Sequence, residues 1–146
     1  MKVEIKLDER YHEAKVIILT DSVTEEIRRL TAMISQDHPS ILTGRKDERV
    51  EVIDPEELIR VFSSGGKVYA VTGRGEYRLN LRLYEMENLL DPRTFVRISN
   101  SEIVNVKKIQ SFDLSITGTI GVRFLDGSST YVSRRYVSRV KKNLGL

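Results

Sequence analysis

The residues best suited to chemistry lie close together near the C-terminus. Ser133-Arg134-Arg135-Tyr136-Val137-Ser138-Arg139-Val140-Lys141-Lys142 interleaves guanidinium groups, hydroxyls and an aromatic ring. An arginine fork bonds two phosphate oxygens at once, or the O6 and N7 edge of guanine, and a serine hydroxyl donates to phosphate and fixes register. The competing reading is a terminal helix on which Tyr136, Val137 and Val140 pack down while the charges face water. No comparable cluster supports catalysis. His12 and His38 both stand beside turn residues and read as surface side chains. Cysteine is absent, which removes disulfides, thiolate metal sites and thiol nucleophiles, and a zinc site of about four ligands has no other source here. Gly73-Arg74-Gly75 lacks the Lys-Ser/Thr of a phosphate loop and reads as a hairpin turn, and the adjacent Glu56 and Glu57 read as solvated turn residues. The expectation is a protein that is not an enzyme, with no cofactor, metal or small-molecule substrate.

Charge is distributed unevenly around that cluster. From Arg93 to Leu146 ten Lys/Arg stand against Glu102, Asp113 and Asp126, a balance of +7, whereas residues 1–92 carry −4, giving the overall +3. A basic block beside an acidic one suits a nucleic acid, and an anionic membrane surface or an acidic protein would suit it too. The 146 residues give room for one domain with a small appendage, and 40% hydrophobic with 31% charged residues is the balance of a globular chain. No apolar run reaches the roughly 20 residues of a membrane span. Met1 to Leu7 alternates charged and apolar residues, unlike a signal peptide, so a cytoplasmic location is expected.

The elements that must position these residues are mostly strands. Val3, Ile5 and Leu7 alternate with charges, Ala14 to Leu19 is a β-branched run, and Ser22 with Glu25 makes a capping box for a helix bearing Ile27, Leu30 and Ile34. His38-Pro39-Ser40 ends it. That predicts a ββα unit over residues 1–40, too small to be stable alone and so packed on the rest of the chain or on a second copy. From Ile41 to Leu146 the texture is β-rich, with strands expected at 50–53, 58–62, 68–72, 77–81, 95–98, 103–106, 120–124 and 130–133. Ser63 to Lys67 reads as a flexible loop, Leu83 to Leu90 as a short helix stopped by Pro92, and Asp126-Gly127 as a tight primed turn.

One further stretch is specific. Phe95-Val96-Arg97-Ile98-Ser99-Asn100-Ser101-Glu102-Ile103-Val104-Asn105-Val106-Lys107-Lys108-Ile109 opens on Phe-hydrophobic-Arg, passes through Ser-x-hydrophobic-Val-Asn and closes on a basic-hydrophobic end. With Asp126-Gly127 and Val132-Ser133-Arg134-Arg135-Tyr136 beyond it, it resembles the signature of the LytTR DNA-binding domain over roughly residues 41–146. The resemblance implies a mostly β fold of stacked antiparallel sheets with one or two short helices, which inserts loops into successive major grooves of double-stranded DNA. It implies three contact loops: Lys67 and Tyr69; Ser99, Asn100 and Ser101; and Ser133, Arg134 and Arg135. Asn100 and Arg135 are the expected base readers, with Lys67, Ser101, Lys107 and Arg134 on phosphates. Asn105 and Arg97 are expected to brace the fold instead. Many family members carry His-Arg or His-Lys where this chain has Ser99-Asn100, so its preferred DNA sequence should differ from theirs.

Forty residues are too few for the receiver domain that precedes many LytTR domains. The chain therefore resembles the short regulators of this family, which are set by a co-encoded membrane protein acting as inhibitor. The implied function is sequence-specific transcriptional regulation by a homodimer on repeated half-sites. The alternative is an interaction module whose basic face docks an acidic partner. For residues 1–40 three roles stay open: a dimerisation surface, an inhibitor-docking surface, or a cover for one end of the sheets.

Overall fold

The computed structural model describes residues 1–35 and 38–146. Aliphatic residues at alternate positions, punctuated by glycine and Asx turns, build ten strands: β1 (Leu42–Lys46), β2 (Arg49–Ile53), β3 (Leu58–Ser64), β4 (Lys67–Thr72), β5 (Gly75–Leu79), β6 (Phe95–Ser99), β7 (Glu102–Asn105), β8 (Ile109–Asp113), β9 (Ile120–Phe124) and β10 (Ser129–Val132). Three helices accompany them: α1 (Glu25–Ser35), α2 (Leu83–Leu89) and α3 (Val137–Leu144). All strand pairs are antiparallel. The larger sheet runs β2-β1-β5-β4-β3-β7-β6 and the smaller β10-β9-β8.

Two apolar cores hold the layers. On one face of the large sheet Leu58, Val61, Val68, Ala70, Tyr77, Leu79 and Ile103 pack against Leu83, Met86 and Leu90 in and just after α2. On the other, Ile59, Val96, Ile98 and Val104 meet Ile120, Val122 and Phe124 of β9, Val132 of β10 and Val140 of α3. β7 is buried at all four residues, and Ile103 and Val104 supply one core each. A strand covered on both faces loses polar–apolar alternation, which is why Ile103 and Val104 stand side by side in this motif. Glu102 at its start accepts hydrogen bonds from Arg60 Nη1 (2.5 Å) and Thr130 Oγ1 (2.6 Å). A buried charge needs such partners.

Several expectations are corrected. The β-rich region holds the expected strands and two more, β1 and β8. The N-terminal ββα unit is present only in its helix: the chain over residues 2–7 and 14–19 pairs with no strand. Two strands isolated from a third have too little apolar surface to cover. α1 starts at Glu25, with Thr24 Oγ1 accepting from the Ile27 N–H (3.3 Å), while the Ser22 hydroxyl donates to Asp21, so the cap is Thr24 and not Ser22. The helix's end falls partly outside the described residues. His38 is not a surface side chain: only 16% exposed, its Nδ1 lies 3.1 Å from the Leu89 carbonyl oxygen at the end of α2.

Two turns also differ. Between β3 and β4 the chain makes a tight two-residue turn on Gly65 (φ 58°) and Gly66 (φ 75°), with Ser64 opposite Lys67. Positive φ at both central residues matches the right-handed twist of a hairpin, and glycine adopts it without a Cβ clash. The β9–β10 connection is the reverse case: four residues long, it has positive φ at Gly127 alone, so the primed two-residue turn is absent there. Ser128 donates its hydroxyl and its N–H to Asp126, which holds that carboxyl below the usual range.

Candidate nucleic-acid interface

The Gly65-Gly66 turn brings Lys67 to the end of the large sheet, exposed at the start of β4. Two residues further, Tyr69 stands opposite Phe62 and stacks on it, with ring centroids 5.3 Å apart, so its ring is half-buried against the sheet. The neighbouring connection, between β6 and β7, is the turn bearing Asn100 and Ser101. The Ser63 N–H donates to the Ser101 carbonyl oxygen (2.8 Å), which ties the first loop's strand to the second loop. Within the second loop Ser99 Oγ accepts from the Ser101 N–H (3.1 Å).

The third loop joins the other two. The Ser133 N–H donates to the Ile98 carbonyl oxygen (2.9 Å), which fixes the exit of β10 beside β6. Arg134, Arg135 and Tyr136 then form a single 3-10 turn leading into α3. Tyr136 Oη donates to Asn100 Oδ1 (3.0 Å), a direct side-chain link between loops two and three. Arg134 and Arg135 are exposed. Among the described residues neither they nor Lys67 has an acidic group within salt-bridge distance. The competing terminal-helix reading is also partly realised: Val140 is buried and Tyr136 and Val137 half-buried, while Arg134 and Arg135 stay outside the helix.

Eight of the nine expected contact residues thus gather at one end of the β domain. Lys107 does not. It stands in the 3-10 turn after β7, at that strand's far end from Ser101, and four strand residues span about 13 Å. Asn105 and Arg97 are the braces expected of them. Asn105 is buried, donating from Nδ2 to the Leu58 carbonyl oxygen (2.8 Å) and accepting the Lys107 N–H (2.9 Å). Arg97 donates to the carbonyl oxygens of Ser99 and Asn100, both at 2.6 Å, and to Glu87 Oε2 at 2.7 Å.

Two contributors escaped the sequence reading, Glu87 and the β8–β9 loop. Glu87 on α2 also accepts from Arg139 Nη2 (3.0 Å), and the Arg139 guanidinium lies 5.8 Å from the Tyr136 ring centroid. Glu87, Arg97, Asn100, Tyr136 and Arg139 therefore close a ring of contacts under the second and third loops. The β8–β9 loop also reaches the site, where a Cβ on Gly118 would lie 3.5 Å from Arg134 Nε. Nothing in the order of residues pairs Glu87 with two arginines 10 and 52 positions away. Ser115-Ile116-Thr117-Gly118-Thr119, small and polar, was a readable loop signal.

Two stacked antiparallel sheets that gather cations, hydroxyls and one amide at a single end define a loop-presenting β platform. The LytTr DNA-binding domain model matches residues 48–145. The chain belongs to the LytTR DNA-binding domain family, which is defined by DNA binding and not by a reaction. It is 30% identical over 147 residues to two proteins described as uncharacterised HTH-type transcriptional regulators, from Staphylococcus aureus strains MSSA476 and NCTC 8325. Each match covers 100% of this chain and 99% of the relative. A solved LytTr DNA-binding domain from Bacillus cereus superposes with a TM-score of 0.72 at 24% identity, over 74% of this chain and 99% of that one, and shares its fold. Despite those relatives' names, α2 and α3 are separated by five strands, and no helix–turn–helix stands among the described residues of 42–146. No described helix is long and apolar enough to cross a membrane.

Proposed function

We propose that this chain is a sequence-specific transcriptional regulator whose residues 41–146 place three loops in successive major grooves of promoter DNA. The observation that carries this is the convergence of Lys67, Asn100, Ser101, Arg134 and Arg135 at one end of the β domain, with the cations unpaired among the described residues. Asn100 reads adenine: its amide donates to N7 and accepts from N6, and Tyr136 holds the side chain by using one of the two lone pairs on Oδ1. Arg135 reads guanine through O6 and N7. Lys67, Ser101 and Arg134 hold phosphates, with Ser99 and Ser133 setting the loops and Tyr69 supporting the first from beneath. Lys107, set apart from these, serves only a phosphate beyond the main contact. A pair of molecules on repeated half-sites supplies the remaining specificity, in the cytoplasm, under control of a membrane-embedded inhibitor protein.

The test is a gel-shift titration on a site selected from random duplex DNA. Arg135→Ala is expected to lose about 1–3 kcal/mol of discrimination at one guanine position while keeping weak binding to any duplex. Equal discrimination by parent and variant would remove Arg135 from base reading. If the parent bound no duplex at all, the basic face would serve an acidic protein instead.

A further inference from the structure

The N-terminal segment leaves its apolar side chains in water. Val3, Ile5 and Leu7 are 80%, 86% and 96% exposed, and Val16, Ile17 and Leu19 are also exposed. No residue of α1 is fully buried; Ile34 is 43% exposed, and Met33, 38% exposed, lines an open groove between α1 and the β domain. Such a run of aliphatic residues at strand spacing is unstable without a covering surface. Residues 1–24 lie almost wholly in solvent, so their apolar side chains have little cover within one chain.

The order of charges says what covers them. Lys2-Val3-Glu4-Ile5-Lys6-Leu7-Asp8 is self-complementary as an antiparallel pair with its two-fold axis at Ile5. Glu4 then faces Lys6 and Lys2 faces Asp8, each pair occurring twice, while Val3 faces Leu7 and Ile5 faces itself on the opposite side. Opposite charges directly across an antiparallel pair stabilise it and like charges oppose it. Moving the axis to Glu4 sets Lys2 against Lys6 and Glu4 against its copy. Moving it to Lys6 sets Glu4 against Asp8 and Lys6 against its copy. An axis between two residues sets charged side chains against apolar ones. An axis at Val3 also matches Lys2 with Glu4 but pairs only residues 1–5; the axis at Ile5 alone satisfies all seven positions from 2 to 8.

We infer that residues 1–35 form a dimerisation unit that closes by pairing residues 2–8 antiparallel with the same residues of a second copy of this chain. The turn at Asp8–Tyr11, where the Tyr11 N–H donates to the Asp8 carbonyl oxygen (3.1 Å), sends residues 14–19 back alongside. Two copies thereby supply a four-stranded sheet with two α1 helices to cover one face, a core that neither copy has alone. The interface is isologous, as a two-fold dimer requires. A stable interface takes about 20–30 residues a side, and this segment provides them. No DNA-contacting loop takes part, so the inference holds or fails independently of the function proposed above.

The test uses the full chain without DNA. Sedimentation equilibrium at micromolar concentration is expected to give a dimer of the 16.8 kDa chain. Lys6→Glu sets acid against acid at both Glu4 pairs and should weaken association at least tenfold. Adding Glu4→Lys to it restores both pairs and the dimer. Because the chain has no cysteine, Ile5→Cys places two thiols on the axis, where mild oxidation links the copies. Glu4→Cys does not link them, its copy lying about 8 Å away across a diagonal, beyond disulfide reach. These side chains are exposed in the single chain, so the urea midpoint of the β domain stays unchanged in every variant. A monomeric parent, a dimer indifferent to Lys6→Glu, no rescue by the double substitution, or linkage at Glu4→Cys in place of Ile5→Cys would each overturn the inference.

Discussion

Asn100 is exposed on a turn, and a free amide there would sample several rotamers before meeting a base. Two neighbours restrict it. Tyr136 donates to its Oδ1, and Arg97 holds its carbonyl oxygen at 2.6 Å. Ordering a side chain before binding lowers the entropy cost of the contact. Tyr136→Phe removes only the phenolic oxygen. It should cost about 0.5–1.5 kcal/mol of discrimination at the adenine position, the worth of one neutral hydrogen bond, and Asn100→Ala should cost more. Competition titrations with site variants measure both. Equal binding by parent and Tyr136→Phe at every site variant would show that Asn100 needs no such support. Asn105 shows the opposite use of the same residue type: buried at the end of β7 beside β3, it satisfies the Leu58 carbonyl and the Lys107 N–H.

At the scale of elements, backbone geometry decides how the loops are aimed. Gly65→Val puts a β-branched side chain at φ 58°, a conformation costing L-residues roughly 1–2 kcal/mol. The turn would open to escape it and Lys67 would swing from its place opposite Ser64. The expected result is a lower thermal midpoint together with weaker duplex binding; a variant with normal DNA affinity would mean that the first loop contributes little. Gly44 in β1 is constrained by space. A Cβ there would stand 2.6 Å from Tyr77 Cβ and 2.7 Å from Ile53 Cδ1. Gly44→Ala overpacks that core and should lose about 1–3 kcal/mol in urea unfolding, with no change in DNA sequence preference once folded. Hairpins and the α2 helix were legible because their signals are local: Gly73-Arg74-Gly75, or Leu83 and Met86 at helical spacing before Pro92. β1 and β8 were not, since Leu42-Thr43-Gly44-Arg45-Lys46 and Ile109-Gln110-Ser111-Phe112-Asp113 have little apolar alternation and become strands through their neighbours in the sheets.

At the scale of the whole molecule, binding should follow electrostatics. Each phosphate contact releases condensed counterions, so Lys67→Ala and Arg134→Ala should each reduce the slope of log K against log salt by about 0.9. Lys107→Ala should change it less, since Lys107 stands at the other end of β7. Fluorescence anisotropy across a salt series reads all three, and an equal effect from Lys107 would extend the contact surface to that end. The amino-acid sequence by itself determined the β-rich class and the basic C-terminal block, because turn chemistry, strand period and charge are properties of short stretches, and the motif over residues 95–109 pointed to the family, whose resemblance implied the three loops. Only the tertiary structure decided which of those residues meet. It drew Lys67, Asn100 and Arg135 to one end, left Lys107 apart, and joined Glu87 to Arg97 and Arg139, because contacts between distant residues are set by how sheets stack and which faces they bury. It also left the N-terminal strand pattern unpaired within one chain, since a period of two shows that a segment suits a strand and a partner across the ladder is still required to make it one.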